Sequence, residues 1–465
     1  MNALIKMTAL SVLLGAGAGC AVTPLDRAAD TAADQVSTRV AVAPDWPPPS
    51  GDTLAAPEIR APLTLPAALA LAFTRNPDIR QQYARLGIGH ADLQDAARIA
   101  NPTLSLAWLH PGGGGRDQTM RGISASFTDV LLLRTRRRLS AAEFRRVELV
   151  VAASLVALAH EVETAWYTHV GALQVAAMRD VVAEAAESEA TLAQRFYEAG
   201  NISRLQLDLQ RVAAAQAHIA ALRARSDTAE SRTQLANLLG LRTDTEWQTA
   251  DKLPTPPDTP LSRDELVQQA LARRLDLAAA REEVAMRADA LNVTRNWWLL
   301  GSVEAGYKRE RETDGSTLSG PTLDLALPLF NQNQGAVARA EAQLLDARAR
   351  SQALALSVEN DVTTGIERLS LAGEITRRYR NALLPSSASA VVRLQEEVNF
   401  MLKSVFDLMQ VKREEYDSWQ RYLESVRDYW IARTALRAAT GGMLPGDEEN
   451  RPLEIGVGDI TGDQP

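Results

Sequence analysis

The chain has 465 residues, of which 23% are charged and 5% are aromatic, and its formal net charge is −8. Acidic and basic residues are mixed instead of being gathered into a basic stripe, so nucleic acid is not an expected partner. The single cysteine excludes an internal disulfide and a cysteine-rich metal site. Long tracts rich in alanine, leucine, arginine and glutamate predict extended helical packing and not a compact enzyme.

The N-terminus has the layout of a secretory signal peptide. Lys6 precedes an apolar segment, Met7–Leu14, and small residues then lead to Cys20. The stretch resembles a bacterial lipoprotein signal, with Gly17 at a position where leucine is usual. We therefore predict lipidation of Cys20; an incidental cysteine beside an ordinary cleavage site is the alternative. No other stretch reaches the roughly 18 apolar residues of a membrane helix.

After a proline-rich stretch, Ala43–Pro62, the chain repeats itself. Pro62–Ile79 aligns without a gap with Pro260–Leu277, and Ser262 and Glu265 in the second copy predict a capping box. The period of about 200 residues is too long for a solenoid and indicates a duplicated half. The predicted organisation is a signal peptide at 1–19, an N-terminal arm at 20–61, a first repeat at 62–259, a second repeat at 260–444 and a C-terminal tail at 445–465.

Each repeat contains two segments in which apolar and polar residues alternate, which predicts β-hairpins at 102–128 and 302–327. Their loops are expected at Gly112–Gly115 and Arg309–Gly320. Two interpretations stay open. Such hairpins occur at sandwich edges, and transmembrane strands show the same alternation over about 10 residues. Four strands cannot close a conducting barrel, so the membrane interpretation requires several copies of the chain.

A long helical pattern follows each hairpin. Apolar residues recur every three or four positions, which predicts helical hairpins at 134–239 and 334–440. Turns are expected at Ala199–Ser203 and Asn399–Ser404, and a helix break is expected at Pro385. These patterns indicate coiled-coil packing and carry no chemistry by themselves.

This order of elements resembles the outer-membrane efflux protein family, the TolC-like trimeric channels, over about Leu63–Leu444. The first turn, Arg195–Gln210, is similar to the Tyr-x-x-Gly turn of that family, and Glu397–Gln410 is its copy, with Met401 in place of the glycine. Pro328–Ala342 is similar to the segment that follows the last barrel strand in the heavy-metal branch of the family.

The resemblance implies a mainly α fold with a small β part. Each subunit would have long α-helical coiled-coil hairpins and four transmembrane strands, and a trimer would share a 12-stranded barrel and an α-helical tunnel. The implied location is the outer membrane, with the helical part in the periplasm. The implied partners are a homotrimer, a periplasmic adaptor protein, an inner-membrane pump of the RND type and outer-membrane lipid; no cofactor is expected.

The same resemblance, together with the strand alternation, assigns roles to particular residues. The residues expected at adaptor-docking tips are Tyr197, Gly200, Asn201, Ile202, Ser203, Met401, Leu402, Lys403, Ser404 and Asp407. The residues expected to face the barrel lumen are Thr103, Ser105, Ser124, Ser126, Ser302, Glu304, Lys308 and Asp324. The residues expected to face lipid are Trp108, Phe127, Tyr307 and Leu325.

We therefore expect a passive exit duct of a tripartite efflux system and not an enzyme. The histidines form no metalloprotease spacing, no phosphate-binding loop occurs, and the His160–Glu163 pair is interpreted as part of a solvated helix face. Heavy-metal cations are the favoured substrate, although no metal-binding residues are predicted. Multidrug efflux and type I secretion remain alternatives. A lipid-anchored periplasmic coiled-coil scaffold is the alternative of another class.

Overall fold

The structure, a computed structural model, describes residues 25–40, 42, 44, 59, 62–242, 244–296, 303–326, 329–447, 453 and 456–461. The predicted signal peptide, Cys20 and Ser302 lie outside these residues, as do Leu327 and Pro328. Within the described part the helices are α1 (Leu25–Ser37), α2 (Leu65–Arg75), α3 (Pro77–Ala96), α4 (Phe127–Glu198), α5 (Arg204–Leu238), α6 (Arg263–Arg273), α7 (Leu275–Asn296), α8 (Gln334–Arg378), α9 (Leu384–Asn399), α10 (Val405–Thr440) and α11 (Val457–Thr461). The strands are β1 (Thr103–Leu109), β2 (Gln118–Ser126), β3 (Val303–Arg311) and β4 (Thr317–Leu325).

The predicted order of elements occurs twice. Two consecutive helices, a β-hairpin and a long helical hairpin form the series from α2 to α5, and the same series recurs from α6 to α10. The long helical hairpins end at glycines in the left-handed region: Gly240 has a φ of 65° and Gly441 a φ of 68°. This is the usual glycine-dependent end of a helix.

The chain forms two compact units, and each unit draws on both repeats. The first consists of the described parts of Met1–Ala32, Tyr83–Val151 and Asp276–Ala353. It contains an antiparallel sheet with the strand order β1-β2-β3-β4. Arg145 of α4 and Glu282 of α7 form an ion pair at 2.7 Å, which joins helices from the two repeats.

The second unit consists of the described parts of Ala33–Gln82, Ala152–Leu275 and Leu354–Pro465, and its core is a helical bundle. Trp166 of α4 donates a hydrogen bond from Nε1 to the carbonyl of Leu63 at 3.1 Å. The neighbouring ring of Tyr167 stacks on Trp430 of α10 at 5.5 Å between centroids. Burying these large rings contributes to the hydrophobic free energy that stabilises the bundle.

The helix after the first hairpin begins earlier than the sequence predicts. Phe127 and Thr128, expected in a strand, form the first turn of α4. The Oγ of Ser126 accepts a hydrogen bond from the backbone N–H of Asp129 at 3.2 Å, as an N-cap does. Thr128 Oγ1 also accepts a hydrogen bond from the N–H of Val303 at 2.9 Å. Phe127 therefore takes no part in the strand alternation.

The second β-hairpin has a shorter loop than predicted. β3 continues to Arg311 and β4 begins at Thr317, so the loop is limited to 312–316. Within it, Asp314 accepts a hydrogen bond on Oδ1 from the N–H of Ser316 at 2.8 Å, which forms an Asx turn. Arg309 and Arg311 therefore belong to a strand and have a fixed face.

The prediction of a capping box at the start of the second repeat is wrong, because the side-chain hydrogen bond of Ser262 does not form. Ser262 occupies the N-cap position of α6, but its side chain makes no capping hydrogen bond. The helix still begins at the predicted place. Asp264 and Glu265 lie in its first turn, where negative charge interacts favourably with the helix dipole.

The break predicted at Pro385 takes the form of a π-helical turn. This turn, Tyr379–Leu383, lies between α8 and α9, and Pro385 follows it at the start of α9. Proline has no N–H, and its ring clashes with the carbonyl four residues earlier. An extra residue in one turn moves that carbonyl away, so the helical backbone continues past the proline.

Candidate functional site

The strand register gathers the described residues that were predicted to face a lumen onto one face of the sheet. Ser126, Glu304 and Asp324 lie directly opposite one another on β2, β3 and β4, and Thr103 lies opposite Ser124. Directly opposed residues share a face, and so do residues two apart on one strand. The predicted lumen residues that lie on this polar face are Thr103, Ser105, Ser124, Ser126, Glu304, Lys308 and Asp324.

The other face of the sheet is apolar and exposed. Leu104 lies opposite Ile123, which in turn lies opposite Tyr307, and Ala305 lies opposite Leu323 in the next row. The exposed large residues of this apolar face are Leu104, Leu106, Trp108, Ile123, Tyr307, Leu323 and Leu325. A contiguous apolar surface of this kind on a folded protein indicates contact with lipid or with another protein.

The sheet also has two open edges. β1 and β4 are its outer strands, and among the residues that the structure describes each pairs with one neighbouring strand. The main-chain N–H and C=O groups on the far side of each outer strand are therefore available to pair with a further strand. The sheet thus offers an apolar face for contact with lipid or protein and two edges for pairing with further strands.

The first helical hairpin ends in a compact turn. Asn201 donates its backbone N–H to the carbonyl of Phe196 at 2.8 Å, and Gly200 has a φ of 77°. Ser203 then begins α5 with a full capping box: its Oγ accepts from the N–H of Gln206 at 3.2 Å, and Gln206 Oε1 accepts from the N–H of Ser203 at 3.0 Å. The backbone of this tip is thus set by local hydrogen bonds.

The second helical hairpin has the same turn, although it lacks the glycine. Leu402 donates its N–H to the carbonyl of Glu397 at 2.9 Å, and Ser404 with Asp407 forms the second capping box. Met401 has a φ of 61°, so a methionine occupies the left-handed conformation that Gly200 has in the first turn. The missing glycine leaves the turn unchanged and places a side chain in a strained backbone position.

Replacing Met401 with glycine is expected to stabilise the second turn by about 1 kcal/mol, because glycine adopts a positive φ without steric cost. Amide hydrogen exchange in the last turn of α9 should then slow by roughly fivefold. The reciprocal change, Gly200→Ala, should speed exchange at the end of α4. Faster exchange in Met401→Gly would contradict the strained conformation.

The tips expose apolar side chains. Phe400, Met401 and Leu402 are 76%, 94% and 72% exposed. Beneath them the rings of Phe196 and Phe406 make an edge-to-face contact at 5.7 Å, which holds the two helical hairpins together at this end. The other predicted tip residues lie in the same two turns: Tyr197 and Ile202 are half-buried, and Asn201, Lys403, Ser404 and Asp407 are exposed.

The His160–Glu163 pair is buried, so its interpretation as a solvated helix face is wrong. His160 is 8% exposed and Glu163 is 3% exposed. Glu163 Oε2 accepts a hydrogen bond from Arg437 Nη2 at 2.6 Å. Burial raises the pKa of Glu163, but its neighbours, led by the Arg437 charge, outweigh burial and hold the pKa below its usual range. The carboxylate is thus a structural anion.

A second buried ion pair continues this network. Arg433 donates from Nε to Asp447 Oδ1 at 2.7 Å and from Nη2 to the carbonyl of Pro445 at 2.7 Å. Arg437 Nη1 lies 3.9 Å from the other oxygen of Asp447. The Arg433 side chain is 1% exposed and that of Asp447 is 4% exposed. The pair ties the segment after α10 to the helical bundle.

The apolar character of α4 and the distribution of metal-ligating side chains both bear on function. By length and composition α4 could cross a membrane, but 56% of its most apolar stretch is buried inside the structure, as in an ordinary core helix. Across the described ranges, no three histidine, cysteine, aspartate or glutamate side chains lie close enough together to hold a metal ion.

Sequence reasoning missed several of these features. The tip capping boxes had a visible signal, Ser-x-x-Gln at Ser203 and Ser-x-x-Asp at Ser404. The partner of Glu163 had none, because Arg437 is 274 positions away. Burial of the pair depends on a contact that no local pattern encodes.

The fold is that of the TolC-like outer-membrane channels, which confirms the predicted resemblance at the level of fold. The sequence itself matches no protein-family model and no curated protein. Among solved structures the chain is similar to CusC, with a TM-score of 0.68 and 14% identity over 86% of this chain and 100% of that one. It is similar to VceC from Vibrio cholerae, with a TM-score of 0.65 and 15% identity over 81% and 96% of the two chains. It is also similar to CmeC from Campylobacter jejuni, with a TM-score of 0.65 and 14% identity over 86% and 93%.

Proposed function

We propose that the chain is one subunit of an outer-membrane exit duct in a tripartite efflux system. The observation that carries this proposal is the four-stranded sheet, which has one polar face, one exposed apolar face and two open edges. A transmembrane barrel needs these three properties in each of its segments. The fold shared with outer-membrane channels supports the same reading.

The duct is a homotrimer in this proposal. One sheet of four strands cannot enclose a water-filled pore, whereas three copies joined from β4 to β1 pool 12 strands and remove both open edges. The polar face then lines the lumen, where Glu304, Lys308 and Asp324 favour a hydrated path. The apolar face contacts outer-membrane lipid. Lipidation of Cys20 would add a second anchor.

The helical hairpins extend into the periplasm, and their tips dock a periplasmic adaptor protein. The exposed Phe400, Met401 and Leu402 give the adaptor an apolar contact, and the capping boxes at Ser203 and Ser404 hold the turns in place. An inner-membrane pump of the RND type supplies the energy. The duct itself is passive.

Heavy-metal cations are the proposed substrate. The support is the similarity of Pro328–Ala342 to the heavy-metal branch of the family. A passive duct needs no metal-binding site of its own, because the pump selects the ion. Growth of a deletion strain on copper, silver, zinc, cobalt and cadmium, beside a panel of drugs, separates metal efflux from multidrug efflux.

The proposal is tested by conductance. Purified full-length protein should have three times the mass of the chain in detergent and should produce discrete ion-conducting steps in a planar bilayer, because the pooled sheets enclose water. Denatured protein at the same concentration is the control. A monomer that needs no detergent and conducts no ions would overturn the duct and favour the periplasmic scaffold.

A further inference from the structure

Four arginines cluster at the loop end of the sheet. Arg121 lies on β2, Arg309 and Arg311 lie on β3, and Arg116 lies in the turn before β2. All four are exposed, and in the described part of the chain none of their guanidinium groups has an ion-pair or hydrogen-bond partner. The nearby carboxylate of Asp117 instead contacts His110 Nδ1, at 2.7 Å.

The strand register brings three of these positive charges together. Arg121 lies directly opposite Arg309, and Arg311 stands two residues further along the same strand, on the same face. Directly opposed side chains have Cβ atoms about 5 Å apart, and like charges in this position destabilise a sheet. Three exposed guanidinium groups held together in this way repel one another, and an anion bound between them relieves that repulsion.

The cluster also has a concave shape. A depression of about 740 Å³ is lined by all four arginines and one carboxylate, so positive charge prevails in it; the other lining residues are Gly115, Asp117, Thr119, Gly315 and Thr317. Guanidinium groups bind phosphate oxygens in a bidentate manner, and several of them around one depression suit a group carrying two negative charges. The geometry therefore fits a phosphate monoester.

The face of the sheet on which the arginines lie indicates which kind of phosphate-bearing molecule they would bind. Arg121 and Arg309 share a row with Leu106, and Arg311 shares a row with Trp108, so the cluster continues the apolar face. Tyr307 lies in the next row. Aromatic side chains mark the interface between hydrocarbon and headgroups in outer-membrane barrels. A ligand bound to this cluster would place its charged group at the arginines and its apolar part along the neighbouring apolar rows of the same face.

We propose that this arginine cluster binds the phosphate groups of a phosphorylated glycolipid in the outer leaflet, of the lipid A type. The inference rests on the proposed function, since it requires the apolar face to contact lipid. Both hairpin turns lie at the end of the sheet opposite to the helices, which places the cluster at the outer surface when the helices are periplasmic. Acyl chains of the same molecule would lie against Leu104 and Ile123.

The test measures binding of bisphosphorylated lipid A to the purified full-length protein in detergent. Arg121→Gln, Arg309→Gln and Arg311→Gln are each expected to weaken binding roughly fivefold, and the triple variant roughly a hundredfold. The matched control is Lys308→Gln, which removes a positive charge from the same strand on the opposite face. Its affinity should equal that of the unmodified protein.

Three outcomes would overturn the inference: equal binding by the single variants, equal binding of dephosphorylated lipid A, or displacement of the lipid by millimolar inorganic phosphate. The last result would identify a free-anion site. Planar-bilayer conductance of the same preparations keeps the two proposals separate. Conducting protein that binds lipid A regardless of the arginines refutes the lipid site alone, whereas intact protein that does not conduct refutes the duct.

Discussion

Asp447→Asn is expected to destabilise the helical unit by about 3–5 kcal/mol, because it leaves the Arg433 charge buried without a counter-ion. The asparagine has nearly the same shape, so the loss is electrostatic and not a packing defect. Arg437 also loses the Asp447 charge 3.9 Å away, but it keeps its shorter bond to Glu163 at 2.6 Å. Denaturant titration of the detergent-solubilised protein, followed by circular dichroism, measures the change.

The matched control for that substitution is Asp244→Asn. Asp244 also pairs with an arginine, Arg242, but both side chains are about 70% exposed. Exposed ion pairs contribute roughly 0–1 kcal/mol, so this variant should unfold almost like the parent protein. A loss below about 1 kcal/mol for Asp447→Asn would show that Arg433 finds another partner or is hydrated.

In the proposed duct, Ile123→Arg should prevent most of the protein from assembling in the outer membrane. Ile123 is half-exposed near the middle of β2, on the apolar face opposite Tyr307. An arginine that faces lipid near the midplane costs about 2–4 kcal/mol, and a trimer carries that cost in every subunit. Heat-modifiable oligomer on semi-native gels of outer-membrane fractions measures the loss.

Ser124→Arg is the control for the same strand. Ser124 lies on the polar face, directly opposite Gly306 of β3. A water-filled lumen accepts the charge, so oligomer should form at normal levels. Equal assembly of both variants would show that the two faces of the sheet do not meet different solvents.

The order of elements could be predicted from the sequence because each element has a local periodicity. Strand alternation gave the hairpins, and recurrence at three and four positions gave the long helices. Boundaries were less accurate where a cap competed with the pattern. Ser126 continues the strand alternation, but its hydroxyl caps α4, so Phe127 becomes helical.

Features that depend on distant partners could not be predicted. The loop assigned to Arg309 and Arg311 is strand because β3 and β4 pair up to Thr317, and pairing overrides the polar composition. Glu163 looked solvated because a His and a Glu three positions apart on a helix form an ordinary surface pair, yet α10 covers it with Arg437. Local sequence therefore identified both faces of the sheet. The strand position of the two arginines and the burial of Glu163 depend on tertiary contacts.

The open edges of β1 and β4 constrain how the proposed duct inserts into a membrane and assembles. In hydrocarbon an unsatisfied peptide group costs several kcal/mol. A single chain with two unpaired strand edges is therefore unstable inside the bilayer. In the proposed duct, subunits therefore meet before or during insertion, and assembly depends steeply on subunit concentration unless a catalyst shields the edges. At low expression, subunits of the proposed duct should consequently remain outside the membrane, and inserted monomers or dimers should not accumulate.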